Sequence, residues 1–353
     1  MKKLIPLTIL AATIFTSSAM AEEVEKVSKF FAEDGILTTE ANYPIHETSR
    51  QMLLKQELVG VNNFKHDRVL TPTDNQPVVR MNRDTYYSVV IVDVSEGATI
   101  TLPEIPEGAY MSMQVISEDH RPQPMKYGSG TYYLSTHTGS HVYIIVRTDA
   151  TLPLEQVHAI QDGMSVDAKS AKAFKAEQVN KASFYETELN LKKQAPALMK
   201  EDPTRFTYGM FTSPEDASKE LFVQKKYEVG TALGWGGAQI DDNIYELTKQ
   251  FDKKKCYQAT FEDPQDLAFW SFTVYDATGR MFNDLANING DVAEQNKDGT
   301  YTISLGCGEE APNNLPIAEG NKTDTFNIVI RHYMPSNAVI KGLRLEPLVK
   351  EVK

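Results

Sequence analysis

The densest run of hydrogen-bonding side chains in this 353-residue sequence is Asn82-Arg83-Asp84-Thr85-Tyr86, set immediately before an apolar stretch. Polar groups at the mouth of a strand often face a cleft. Asn82, Asp84 and Tyr86 would fix a polar ligand there, and Arg83 would grip a carboxylate through two parallel N–H bonds. The competing reading is a turn in which Asn82 and Asp84 bond their own backbone and Arg83 meets a surface acid. Asp119-His120 is a second candidate, a carboxylate beside an imidazole that could act as orienter and general base. Neighbours in a strand face opposite ways, so His120 counts for more than the pair, with Asp84 or Asp119 as its partner. Farther on, alternation puts Arg331 and Tyr333 on one face of an apolar strand, where they would hold an anion, unless Arg331 is spent in a salt bridge. Trp235, between Gly234 and Gly236-Gly237, reads as a point of backbone approach to a ligand or as a wedge between helix and sheet.

Other chemistries have weaker footing. His66, Asp67, Asp84, His120, His137 and His141 fall in or beside one module, but without His-x-His or His-Glu-x-x-His spacing no metal ligands are assigned. Gly-x-Ser-x-Gly is absent, and Gly234-Trp235-Gly236-Gly237 lacks the Gly-x-Gly-x-x-Gly form that cradles phosphate. No motif names a cofactor. The two cysteines, Cys256 and Cys307, are either a disulfide or two buried thiols. A bond closing that loop would stabilise the fold by roughly 3–4 kcal/mol.

These residues need elements to hold them. Apolar positions spaced by three and four predict a helix, or two short ones, within 40–64. Short β-branched and aromatic runs at 88–94, 99–102, 110–116, 131–135 and 141–148 predict strands of a sandwich or jelly roll. Helical spacing returns beside Pro153 and through 182–199. Ser213-Pro214-Glu215 carries the cap, first-turn proline and acid of a helix start, predicted to run to about Gly230. Strands follow at 255–261, 268–275, 300–305 and 325–333. The fold class expected is therefore mainly β with helical connections (α+β). Its parts are a first β module at 22–151, a helical connector at 152–250 and a second β module at 251–353.

Residues 1–21 have the basic start, apolar middle and Ala-Met-Ala ending of a secretory signal cleaved after Ala21, which predicts a periplasmic or secreted protein. The apolar run is too short to span a bilayer, so no membrane insertion is expected after cleavage. Losing Lys2 and Lys3 takes the formal charge from −12 to −14. An acidic surface repels phosphate backbones, which argues against nucleic-acid partners.

Val61-Asn62-Asn63-Phe64, Arg80-Met81-Asn82-Arg83-Asp84-Thr85-Tyr86-Tyr87-Ser88 and Glu118-Asp119-His120 together resemble the bacterial domain-of-unknown-function family 1254. Phe269-Trp270-Ser271-Phe272-Thr273-Val274-Tyr275-Asp276 and Val329-Ile330-Arg331-His332-Tyr333 resemble its C-terminal companion, family 1214. The resemblance implies two β-sandwich modules joined by helices and implies no activity. The residues favour a binding or accessory protein for a small polar or carbohydrate-like ligand. The alternatives are a hydrolytic or metal-assisted enzyme built on His120, and a structural protein whose strands build a homo-oligomer.

Overall fold

In the computed structural model, residues 23–76, 79–203, 205–214 and 222–352 are described. Residues 1–21, expected as a signal, and much of the helix expected after Ser213 lie outside them.

Thr85–Asp93 and His141–Asp149 are nearly continuous apolar runs because both of their faces are covered. They sit second and third in a five-stranded antiparallel sheet of order Lys65–His66, Thr85–Asp93, His141–Asp149, Met111–Ser117, Lys126–Tyr127. One face, carrying Val90, Val92, Val115, Ile144 and Val146, packs on a three-stranded sheet of Ser165–Ala168, Ala98–Leu102 and Gly130–Leu134. The other face, with Val89, Ile91, Tyr143 and Ile145, packs under the helices. Strand alternation alone divides these two sets.

The helices follow local rules. Tyr43–Val59 has a proline in its first turn and stops at Gly60, whose φ of 78° suits glycine. Lys181–Glu201 is capped by Asn180, whose side chain accepts the Ser183 N–H. Gln224–Leu233 ends at Gly234. Among the described residues, no helix is long and apolar enough to cross a membrane.

The second sandwich repeats the plan. Its five-stranded sheet orders Asn243–Leu247, Thr325–Tyr333, Phe269–Asp276 and Asn287–Asn289, with Phe251–Asp252 also pairing to Thr325–Tyr333. Its four-stranded sheet orders Asn314–Leu315, Tyr301–Leu305, Tyr257–Phe261 and Lys350–Glu351. Trp270, Phe272, Val274, Ile303, Ile328 and Ile330 fill the space between them. Cys256 and Cys307 are bonded, joining the ends of two paired strands. The mainly β fold read from the sequence is therefore present. The stretch 152–250, expected as a helical connector, carries more than helices: Ser165–Ala168 completes the first sandwich, and Asn243–Leu247 belongs to the second.

Candidate functional site

The two five-stranded sheets meet near the ends of their central strands. Tyr110 of the first module packs edge-on against Phe269 and Tyr333 of the second, with ring centroids 5.5 and 5.7 Å away. Beside this contact a cavity of about 270 Å³ opens between the modules. A cavity of roughly 150 Å³ already admits a benzene ring, so this one is sized for a single small molecule. Its first wall is the paired rung Tyr87 and Arg147, with Val89 and Ile145 next along the strands. Its second wall is the rung Tyr245 and Arg331, with Asn243 and Tyr333 beside it. Phe206, Met210, Leu233 and Trp235 close it from the helical side.

Arg80, Arg147 and Arg331 all line this space, and among the described residues none of them bonds a carboxylate. Arg331 is engaged by three neutral acceptors: Thr273 Oγ1 at 3.0 Å, the Arg80 carbonyl at 2.8 Å and the Tyr275 hydroxyl at 2.9 Å. Arg147 is 8% exposed and is not so engaged. Its Nη2 reaches the Gly236 carbonyl at 3.3 Å, and its buried Nη1 has no protein acceptor. Arg80 Nε is also buried without an acceptor, and burial pulls that guanidinium's pKa down.

The tyrosines add donors. The Tyr87 hydroxyl accepts from Asn82 Nδ2 at 2.7 Å, and the Tyr245 hydroxyl accepts from the Ala238 N–H at 3.4 Å. Each therefore keeps its own proton for another partner. Burial raises the Tyr245 pKa, which holds that proton in place. The lining is thus rich in donors, and Asn243 Oδ1 is its one buried acceptor without a partner among the described residues.

Residues 61–153 match the model of a family described as protein of unknown function DUF1254, and residues 244–337 match that of DUF1214. The chain joins a DUF1254 module to a DUF1214 module. The crystal structure of the VPA0106 protein from Vibrio parahaemolyticus is similar in fold, with a TM-score of 0.65 at 16% identity over 89% of this chain and 98% of that one. An uncharacterized protein from Burkholderia cenocepacia is similar at a TM-score of 0.53 and 12% identity, over 89% of this chain and 87% of that one. At these identities the likeness is one of fold. No curated protein sequence matches the chain.

Of the residues singled out in the sequence, Asn82, Trp235, Arg331 and Tyr333 line the cavity. Asp84 sits behind it as a peg from the DUF1254 module into the DUF1214 sheet. It accepts from Ser271 at 2.8 Å, Asn287 at 2.6 Å and Tyr333 at 2.9 Å. Arg83 is elsewhere, tying the modules together through the Thr71 carbonyl and Asp284. Tyr86 faces the opposite side of its strand from Tyr87, and Tyr87 is the tyrosine that reaches the cavity.

The pairing of His120 with Asp84 or Asp119 does not form. Asp119 bonds His137 instead, at 2.8 Å. His120 is buried, with Nδ1 on the Thr231 hydroxyl and Nε2 accepting the Gly236 N–H at 2.9 Å. Burial pushes its pKa down to about 3. Gly236, at φ 79°, offers its N–H to His120 and its carbonyl to Arg147. A Cβ on Gly237 would strike the Phe211 ring at 2.3 Å. His120 and these glycines therefore press the loop onto the sheet, and Trp235 is its wedge, 4.8 Å from Tyr143 and stacked on His120. The histidines and acids weighed for metal are dispersed: His66 bonds Ser88, and His141 bonds the Lys172 carbonyl. Among the described residues no group of three or more His, Cys, Asp or Glu side chains is arranged to hold a metal ion.

Sequence reasoning missed Arg147, Tyr87, Tyr245 and Arg80. The available signal for Arg147 was its place as a lone arginine inside an otherwise apolar strand.

Proposed function

We propose that this chain is an exported protein that binds one small organic anion in the cavity between its modules. The observation that carries the reading is the buried Arg147 guanidinium, whose Nη1 has no protein acceptor at a cavity wall. A buried donor left unpaired costs roughly 1–3 kcal/mol, and more when charged, so an anionic acceptor delivered there recovers a real penalty. The free protons of Tyr87 and Tyr245 favour the same kind of ligand. Export rests on the signal-like residues 1–21, and a mature chain beginning at Glu22 is its signature.

Native mass spectrometry of protein isolated from whole cells tests both parts. The expected result is a chain starting at Glu22 that carries a dissociable acidic molecule, lost in Arg147→Met. A melting temperature that no carboxylate or phosphate ester raises, in wild type as in Arg147→Met, would sink the binding reading. An intact residue 1 in the isolated protein would sink export.

A further inference from the structure

The cavity has a second cationic end. Lys55, on the helix Tyr43–Val59, lines it together with Gln51 and Asp67. Lys55 is half-buried, and among the described residues its ammonium has no hydrogen bond or ion pair. Asp67, the acid at this end, is paired with Lys65, so the local charge of Lys55, Lys65 and Asp67 is net positive. Burial, with Lys65 adding to it, holds the Lys55 pKa down to about 8, the mark of an ammonium without a counterion.

The two ends are separated by the sheet itself. Asp67 follows the edge strand Lys65–His66, whereas Arg147 lies on the strand two places inward. Two strand spacings put those backbones about 10 Å apart. A short chain with an anionic group at each terminus spans that separation and meets both ends at once. Tyr87 and Val89 lie on the strand between the ends, and Ile145 is paired with Val89 beside Arg147, a largely apolar floor suited to a methylene spacer.

We infer that the cavity takes a two-headed anion, a linear dicarboxylate, with one carboxylate on Arg147 and the other on Lys55. This rests on the anion-binding reading and adds its substrate class.

Calorimetric titration of the mature chain with glutarate and adipate, against butyrate and hexanoate, tests it. The dicarboxylates should bind at least tenfold more tightly. Lys55→Met should erase that preference and leave monocarboxylate affinity within about twofold, while Lys55→Arg, which keeps the charge, should retain it. Arg147→Met should weaken both classes. Equal affinities in wild type, or a preference that survives Lys55→Met, would overturn the two-headed ligand and leave anion binding standing wherever Arg147→Met still weakens both. Titrations indifferent to Arg147→Met would remove the cavity reading and this one with it. Unfolding midpoints of the Lys55 variants, read alongside, separate lost binding from lost folding.

Discussion

The central strands His141–Asp149 and Thr325–Tyr333 each run nine residues and each carry an arginine seventh, Arg147 in one module and Arg331 in the other. Both arginines are buried and both face the same cavity, yet their surroundings are opposite. Arg331 is held by three protein acceptors, with the buried Asp84 beside it. Arg147 has one long bond and an unused nitrogen. The same residue in the same place on two similar sheets thus does two jobs: Arg331 locks the DUF1214 face to the Arg80 backbone of the other module, and Arg147 keeps bonding capacity in reserve. Burial alone does not separate a structural charge from a binding one; the count of satisfied bonds does.

The contrast breaks most visibly at Arg331. Arg331→Met leaves the Arg80 carbonyl without its donor, takes one bond each from the Thr273 and Tyr275 hydroxyls and removes the positive charge beside the buried Asp84; it should cost about 3–5 kcal/mol in urea unfolding, the scale of removing one partner from a buried charged network. A loss below about 1 kcal/mol would show that its three bonds are replaceable by water. The disulfide sharpens the comparison next, because the second module is stapled and no cysteine lies in the first. Cys256→Ser with Cys307→Ser should cost roughly 3–4 kcal/mol, the chain-entropy value for a loop of that length. Hydrogen exchange should report the loss in 251–352, and equal loosening of 85–149 would mean that the modules unfold as one unit.

Acid should separate the modules by sign. His120 titrates near 3 and His46 near 4 in the folded first module, both depressed by burial. The unfolded chain binds their protons first, so their contribution is complete above about pH 6.5 and falls as pH drops, by about 1.4 kcal/mol per unit for each. In the second module burial opposes charge on His332, but hydrogen bonds to Asp266 at 2.7 Å and Glu246 at 2.8 Å outweigh it and raise the pKa. Its contribution is complete below the unfolded value and is lost as pH rises through the folded one. Urea midpoints between pH 4.5 and 8.5 should show His120→Gln flattening the acid limb and His332→Gln the alkaline limb. An acid limb untouched in His120→Gln would refute the buried neutral imidazole.

How much of this could be read from the sequence depended on whether the signal was local. The strands 141–148 and 325–333 were legible because a run covered on both faces stays apolar for its whole length. Arg331 and Tyr333 were legible as a pair because alternation is a local rule. Tyr86, not Tyr87, reads from the sequence as the ligand contact; which of the two neighbours faces the cavity depends on register, and a shift of one residue reverses it. His120 was chosen by residue type, whereas its role is set by Thr231 and Gly236, more than a hundred residues away. Lys55 gave no signal at all, since a lysine on a helix usually marks the solvated face, and only the assembled fold makes that position part of a cavity wall.

Arg147→Met is where the smallest stability change is expected. The substitution removes a single 3.3 Å bond and also an unpaired buried charge, and these effects oppose each other. The net change should be within about 1 kcal/mol of wild type, of either sign, since replacing an unsatisfied buried charge by an apolar side chain is often neutral or better. Anion affinity should fall together with that near-neutrality by about 10- to 150-fold, the range for charged hydrogen bonds of roughly 1.5–3 kcal/mol. The two readouts are taken on one sample, by urea unfolding without ligand and by titration with it. A destabilisation matching that of Arg331→Met would make both arginines structural locks, and the reserve attributed to Arg147 would then be bonding that the folded chain itself requires.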